Sequence, residues 1–157
     1  MNPHGSGMRD IRAWTCLCVV LLLAACSVGP GENISSTKPY ADLIGAKYIV
    51  VADNLRSYGV YESVDDKSTI SFVELLPLEL KGPEFAFRRN VPKGQVITIL
   101  SVWRHLILLE SGVYYLVAVE NSDLPQGIPI RLELSRGNEG VGADLNPAVY
   151  SRLAGVK

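Results

Sequence analysis

After residue 46 the chain is a series of short apolar runs rich in β-branched and aromatic residues, which predicts β-strands. Alternation of apolar and polar residues is cleanest at 128–134, where a period of two is typical of a half-buried strand. The runs end at turn-forming clusters such as Asp53-Asn54 and Lys81-Gly82-Pro83. The predicted strands cover residues 47–52, 55–62, 69–76, 84–89, 96–109, 113–120 and 128–134.

Three of these runs carry features that modify a regular strand. Gly59 predicts a bulge inside the second run. The run 96–109 is longer than an ordinary strand, so it is either bent or broken near Arg104-His105. Pro129 cannot donate a ladder hydrogen bond, which predicts that its strand end lies at a sheet edge or a bulge. Glu110, Ser111 and Gly112 predict the turn of a hairpin.

Helical signals flank the strands at both ends of this region. Residues 39–45 predict one helical turn that Gly45 ends in a left-handed conformation. After a Gly-rich loop at 135–145, Asn146-Pro147 resembles a cap followed by a first-turn proline, which predicts a short helix over 148–153.

Short strands joined by Gly- and Pro-containing turns predict a mainly β domain, a small antiparallel barrel or sandwich with a short C-terminal helix. The run Pro92-Lys93-Gly94-Gln95-Val96 and the strand after it resemble the turn-to-strand step of bacterial SH3-like envelope modules. That resemblance implies an SH3-like barrel as one form of this fold.

An apolar stretch of 13 residues, 13–25, follows Arg9 and Arg12 near the start of the chain. It is too short to span a bilayer, which takes roughly 20 residues. A basic region, a short apolar region and small residues before a cut site are typical of a secretory signal. Translation could begin at Met1 or at Met8, which directly precedes the basic residues.

The residues Leu23-Ala24-Ala25-Cys26 resemble the lipobox of bacterial lipoproteins. The resemblance implies cleavage before Cys26, fatty acyl chains such as palmitate on its sulfur, and acylation of its new amino group. Ser27, where aspartate commonly retains such proteins at the inner membrane, implies an outer-membrane lipoprotein facing the periplasm. In a host with one membrane, the protein would lie on its outer face. The alternative is an ordinary cleaved signal followed by a chance cysteine.

The chain therefore divides into a signal peptide at 1–25, a lipidated cysteine with a flexible tether at 26–38, and a β domain at 39–157. The tether prediction depends on residues 28–38, which are rich in Gly, Ser, Pro and Asn. Such a coil would separate domain and membrane by roughly 20 Å.

Composition excludes several kinds of chemistry. The formal charge of −1 gives no electrostatic support for nucleic-acid binding. No cysteine follows Cys26, and His105 is the one histidine of the mature chain, so neither residue type supplies a metal-ligand set. Motifs for a nucleophile elbow, a zinc protease and a phosphate loop are missing from the sequence. Asp65 and Asp66 are typical of a solvated turn. We predict no enzyme activity, no cofactor and no metal.

The strands at 96–109 and 113–120 have apolar residues on both faces. One face must line the core, whereas the other either meets the C-terminal helix or is exposed to a partner. The partner alternative predicts a binding surface at Trp103 and Tyr114, with Arg88, Arg89 and Arg104 around it. The alternative for the arginines is a solvated rim.

These features predict a membrane-anchored envelope lipoprotein that acts as a non-enzymatic binding or assembly module for a protein or cell-wall partner. The alternative is an immunity lipoprotein that neutralises a toxin enzyme in the periplasm. A small envelope hydrolase would need His105 or a carboxylate pair to meet a nucleophile.

Overall fold

The computed structural model describes residues 31–105, 112–133, 140–141 and 143–154. The predicted signal peptide with its lipobox, the turn residues Glu110 and Ser111, and much of the predicted loop 135–145 lie outside the described residues. The described part is mainly β, as predicted, with a 3-10 turn at Tyr40–Leu43. Its strands are β1 (Glu32–Asn33), β2 (Lys47–Val50), β3 (Arg56–Tyr61), β4 (Ile70–Leu76), β5 (Phe85–Asn90), β6 (Val96–Arg104), β7 (Val113–Val119), β8 (Ile130–Glu133), β9 (Gly140–Val141), β10 (Asp144–Leu145) and β11 (Tyr150–Arg152).

One sheet holds most of these strands, in the order β11-β2-β6-β7-β8-β4-β3-β5, while β1 joins β6 beyond the end of β2. Strands β9 and β10 form a separate pair. Every pairing among the described strands is antiparallel except β4 with β8, which is parallel, so the sheet is mixed. The terminal strands β11 and β5 do not pair within the described residues, and the sheet is open. The sandwich alternative of the prediction fits, whereas the antiparallel closed barrel does not.

The core lies on one face of this sheet, which we call the inner face. It is covered there by the 3-10 turn, by residue Ile34 and by the segment 143–150, which together make the second layer. Buried inner-face residues of the sheet include Tyr48, Val50, Leu75, Ile97, Ile99, Val102, Tyr115, Val117 and Leu132. We call the opposite face the outer face.

Strand β6 reaches its full length because it is bent. Ile99 and Val102 are both 0% exposed, yet they are three residues apart and would face opposite sides of a regular strand. The register against β7 shifts between Ile99 and Ser101, which turns Val102 back to the core. The shift leaves Leu100 54% exposed. The bent-strand alternative is thus confirmed as far as Arg104, and residues 106–109 lie outside the described part.

Gly59 also lies at a change of register, as predicted. The register of β3 shifts between Gly59 and Val60 against β5, and between Val60 and Tyr61 against β4. The ring of Phe87 lies directly over Gly59, where a Cβ atom would be 2.4 Å from the ring. Glycine is therefore required here by the close approach of an aromatic side chain.

The prediction that Pro129 marks a sheet edge is wrong. Strand β8 lies between β7 and β4, in the middle of the sheet. The strand begins at Ile130, and Pro129 takes part only through its carbonyl oxygen, which accepts the Val73 N–H at 2.8 Å. A proline that precedes the first ladder residue needs no N–H of its own, so the interior position costs no hydrogen bond.

The predicted C-terminal helix is replaced by a turn and a strand. Asn146 does cap a turn, since its Oδ1 accepts the Ala148 N–H at 3.0 Å and its carbonyl accepts the N–H groups of Val149 and Tyr150 at 2.9 Å. The chain then extends, because Tyr150 pairs with Val50 on the free edge of β2 and is 2% exposed. Burial of this ring and pairing of the edge outweigh the helical signal.

Residues 31–38, predicted as part of a flexible tether, are docked on the domain. Glu32 and Asn33 pair with Arg104 and Trp103 of β6. Ile34 is 1% exposed and belongs to the core, and its N–H donates to the Val102 carbonyl at 2.9 Å. The sequence did not predict this docking, because Ile34 is the one apolar residue of a polar segment. It also gave no sign that the C-terminal half of β6, which pairs with β7 on one edge, has a second edge with which this segment pairs.

Candidate functional site

Trp103 and Tyr114, the centre of the predicted binding surface, are direct cross-strand neighbours on the outer face. The Trp103 indole N–H donates to the Ser101 hydroxyl oxygen at 2.9 Å, and the side chain remains partly exposed. Tyr114 is only 7% exposed. A partner can therefore reach the indole of Trp103, whereas the ring of Tyr114 is mostly covered.

Tyr114 belongs to a row of stacked groups that crosses four strands. Its ring centroid lies 4.5 Å from that of His105, just after β6, and 4.8 Å from the guanidinium carbon of Arg131 on β8. The same guanidinium lies 4.0 Å from the ring centroid of Phe72 on β4. Contacts of this kind contribute about 0.5–2 kcal/mol each. Glu74, beside Arg131 in register, is 8% exposed.

This row explains the apolar outer face of the β6–β7 hairpin without a terminal helix. It also gives His105 a packing contact, and the His105 backbone N–H donates to the Gly112 carbonyl at 2.8 Å across the hairpin. Arg131 and Phe72 were missed in the sequence because they meet Tyr114 only through the strand order. That order includes a parallel pair that no local pattern indicates.

The three predicted arginines fall into two separate groups. Arg104 pairs with Glu32 at 3.4 Å, next to Trp103. Arg88 and Arg89 lie on β5, the far edge of the sheet, where Arg88 is 3.8 Å from Glu79 and Arg89 is 3.0 Å from Asp123. Three strands, β8, β4 and β3, separate β5 from β7 in the sheet order. The structure does not bring Arg88 and Arg89 together with Trp103.

A cleft of about 440 Å³ lies at the edge formed by β2 and β11, on the inner side of the sheet. Its walls include the rings of Tyr48 and Tyr150 and the apolar residue Leu145, while Asp144 and Arg152 stand exposed at its rim. A pocket of this size is within the range that holds small ligands or a peptide end. We call it the β2–β11 cleft.

The two charged side chains at the rim of the β2–β11 cleft do not form an ion pair with each other. Within the part of the chain that the structure describes, no ion pair closer than 4.0 Å joins Asp144 and Arg152. The Arg152 guanidinium donates one hydrogen bond, at 3.3 Å, to the Asp42 carbonyl oxygen of the 3-10 turn. This contact orients the guanidinium and leaves its other N–H groups for a ligand.

Two tyrosine hydroxyls beside the cleft are held in the protonated form. Burial raises the pKa of Tyr48, with Arg152 opposing the rise and Asp144 adding to it. Burial also raises the pKa of Tyr115, whose hydroxyl donates to the Ala143 carbonyl. The Tyr48 hydroxyl is buried and has no hydrogen-bond partner among the described residues. The cleft thus combines a cation, an anion and aromatic walls, which suits reversible binding.

No local pattern in the sequence indicated this cleft, because Tyr48 is about a hundred residues from Asp144 and Arg152 and none of the three belongs to a motif. Pairing of β11 with β2, which sets Arg152 opposite Tyr48, brings them together. That pairing was hidden by the helical signal at Asn146.

Among the described residues there is no group of three or more His, Cys, Asp or Glu side chains that could hold a metal ion. A search of the same residues finds no helix with the length and apolar content to cross a membrane. No family model matches this chain, and neither a curated protein nor a solved structure matches it.

Proposed function

We propose that this protein is a lipid-anchored module of the bacterial cell envelope that binds a protein or cell-wall partner and catalyses no reaction. The anchor in this proposal is Cys26, at the end of the lipobox-like residues Leu23-Ala24-Ala25. In a host with two membranes, Ser27 supports placement on the outer membrane, facing the periplasm.

The observation that carries the proposal is the docking of residues 31–38 on the domain. Because β1 pairs with β6 and Ile34 enters the core, only residues 27–30 separate Cys26 from the folded chain at Gly31. Five Cα steps reach at most about 17 Å. A lipid on Cys26 would therefore hold this domain close to the bilayer surface, in a restricted orientation, as suits a module that presents one side to a partner.

Replacing Cys26 by alanine tests the anchor. We expect wild-type protein in its host to incorporate labelled fatty acid and to sediment with membranes. The Cys26→Ala variant should carry no label and remain soluble or unprocessed, since two or more acyl chains are needed for stable anchoring. The matched control is Ser27→Ala, which keeps the thiol and should stay acylated. A Cys26→Ala protein that still incorporates the labelled fatty acid, or a wild-type protein that does not, would contradict the proposal.

For the binding half of the function we propose the β2–β11 cleft. Its support is the pair of rim charges, Asp144 and Arg152, that face a pocket with aromatic walls. A rim of this kind recognises a polar partner with both charges, such as a peptide end with an oppositely charged side chain beside it, by hydrogen bonds and complementary charge.

A photo-crosslinking residue at Pro147, which is exposed and lines the cleft, tests this assignment in intact cells. We expect a discrete adduct with a protein or with wall fragments, at least several-fold weaker when Asp144→Asn and Arg152→Gln are added, because each charged hydrogen bond contributes about 1.5–3 kcal/mol. The same probe at Thr69, exposed in the β3–β4 loop, is the control. Equal adducts at both positions, or none at Pro147, would reject the cleft as the binding site.

A further inference from the structure

We propose that the outer face of β6 around Leu100 and Trp103 lies in the headgroup region of the membrane that holds the acyl chains of Cys26. This inference deepens the proposed function and rests on the anchor at Cys26. It names the bilayer itself as the partner of the exposed part of the predicted Trp103 surface.

The place where the chain enters the domain points to this face. Gly31 packs against β6, where a Cβ atom would lie 3.0 Å from the Arg104 carbonyl oxygen, 3.6 Å from the Tyr114 hydroxyl oxygen and 3.7 Å from the Cε3 atom of Trp103. Both of these rings belong to the outer face. Four residues, 27–30, separate Gly31 from Cys26 in the sequence, so a lipid on Cys26 would be within about 17 Å of Gly31, on the Trp103 side of the sheet.

The side chains on this face suit a membrane interface. Leu100 is 54% exposed because the bulge in β6 turns it away from the core. Trp103 is partly exposed and already bonds its indole N–H to Ser101, so the ring can leave water without losing a hydrogen bond. Tryptophan is enriched at the depth of lipid headgroups, and arginine can extend its head group to water from there.

Charge neither drives nor opposes this contact strongly. Arg104 is the cation closest to Trp103 in the ladder, and Glu32 lies 3.4 Å from it, so the pair carries no net charge. Apolar contact by Leu100 and Trp103 would therefore supply the attraction, with the acyl chains supplying the anchor.

This orientation has a consequence for the binding site. Tyr48 is opposite Ile97 in register and lies on the inner face, so the β2–β11 cleft opens on the side of the sheet away from Trp103. Contact of the outer face with lipid would leave the cleft open to the periplasm.

The mature chain offers its own probe, because Trp103 is its one tryptophan once Trp14 is removed with the signal peptide. The experiment uses full-length lipidated protein in vesicles of phosphatidylethanolamine and phosphatidylglycerol, with or without lipids brominated near the headgroup. We expect Trp103 to lose roughly half of its emission in the brominated vesicles, as for a side chain 5–10 Å into the interface. The matched control carries Trp103→Phe and Val64→Trp. Val64 is 51% exposed in the loop between β3 and β4, which lies at the end of the sheet opposite to Trp103. Its emission should stay unchanged.

Mass spectrometry of the same sample separates the possible failures. If the acyl chains are present and the protein is on the vesicles while Trp103 is unquenched, the orientation is overturned and the anchor stands. Equal quenching of the wild-type protein and of the control variant would also overturn the orientation, because it would mean that the domain has no preferred side. A protein that carries no acyl chains overturns both the orientation and the proposed anchor.

Discussion

The Ile34→Ala variant is expected to lose about 2–4 kcal/mol of unfolding free energy, a large effect for a residue so near the predicted anchor. Ile34 is 1% exposed, and its side chain belongs to the core beside the C-terminal half of β6. Truncation to alanine leaves a cavity that the backbone cannot close, because the Ile34 N–H is fixed to the Val102 carbonyl. Urea unfolding of the chain produced without residues 1–26, followed by fluorescence of Trp103, would measure the loss.

The control for this experiment lies two residues away. Ser36 is exposed in the same segment, so Ser36→Ala should change the stability by less than about 0.5 kcal/mol. If residues 31–38 are a flexible tether instead, both substitutions will be equally silent, and the short link between lipid and domain will be refuted. The result therefore bears on the fold and on the proposed membrane orientation together.

The amino-acid pattern predicted the strands better than their arrangement. Apolar runs rich in β-branched and aromatic residues, bounded by turn residues, located β2 to β8, because a strand with one face in the core requires apolar residues at that face. Strand order is decided by which edges meet, and this depends on contacts between distant residues. The parallel pairing of β4 with β8 left no local signal, and neither did the interior position of Pro129.

Two errors share one physical cause, the pairing of a free strand edge. Residues 31–38 look like a tether and 146–153 look like a helix, yet each contributes one buried residue, Ile34 or Tyr150, and pairs with β6 or β2. An unpaired edge in a sheet is a strong partner for any segment within reach. Local composition cannot register that partner, since the edge exists only after the sheet has formed.

In the candidate site, too, the sequence predicted the local contacts and not those between distant segments. Trp103 and Tyr114 were found because a hairpin places them side by side, and the hairpin is visible in the sequence. The separation of Arg88 and Arg89 from them depends on the three strands in between. The charges of the β2–β11 cleft meet through β11, which replaced the predicted helix, so no local pattern could have assembled them.

Alkaline pH is expected to destabilise the protein through Tyr115 and Tyr48, whose pKa values are both raised in the fold by burial. In the unfolded chain a tyrosine loses its proton near pH 10, whereas these two keep theirs when the protein is folded. The unfolded state then binds fewer protons than the folded state, so the unfolding free energy falls as pH rises above about 10. The loss is at most about 1.4 kcal/mol for each tyrosine by pH 11. Below about pH 9 neither group contributes a slope.

Phenylalanine variants show whether Tyr115 and Tyr48 cause the fall of the unfolding free energy with pH. Tyr115→Phe removes the titrating hydroxyl together with its bond to the Ala143 carbonyl, so it should cost about 1 kcal/mol at pH 7 and flatten the fall above pH 10. Tyr48→Phe removes a buried hydroxyl with no bond among the described residues and should cost little at pH 7 while flattening the curve as well. Lysines titrate in the same pH range in all of these proteins. The result is therefore the difference between variant and wild type in how steeply the unfolding free energy falls with pH. Parallel curves for wild type and the double variant from pH 9 to pH 11 would show that the fold does not raise the pKa of either hydroxyl, and would contradict the statement that both are held in the protonated form.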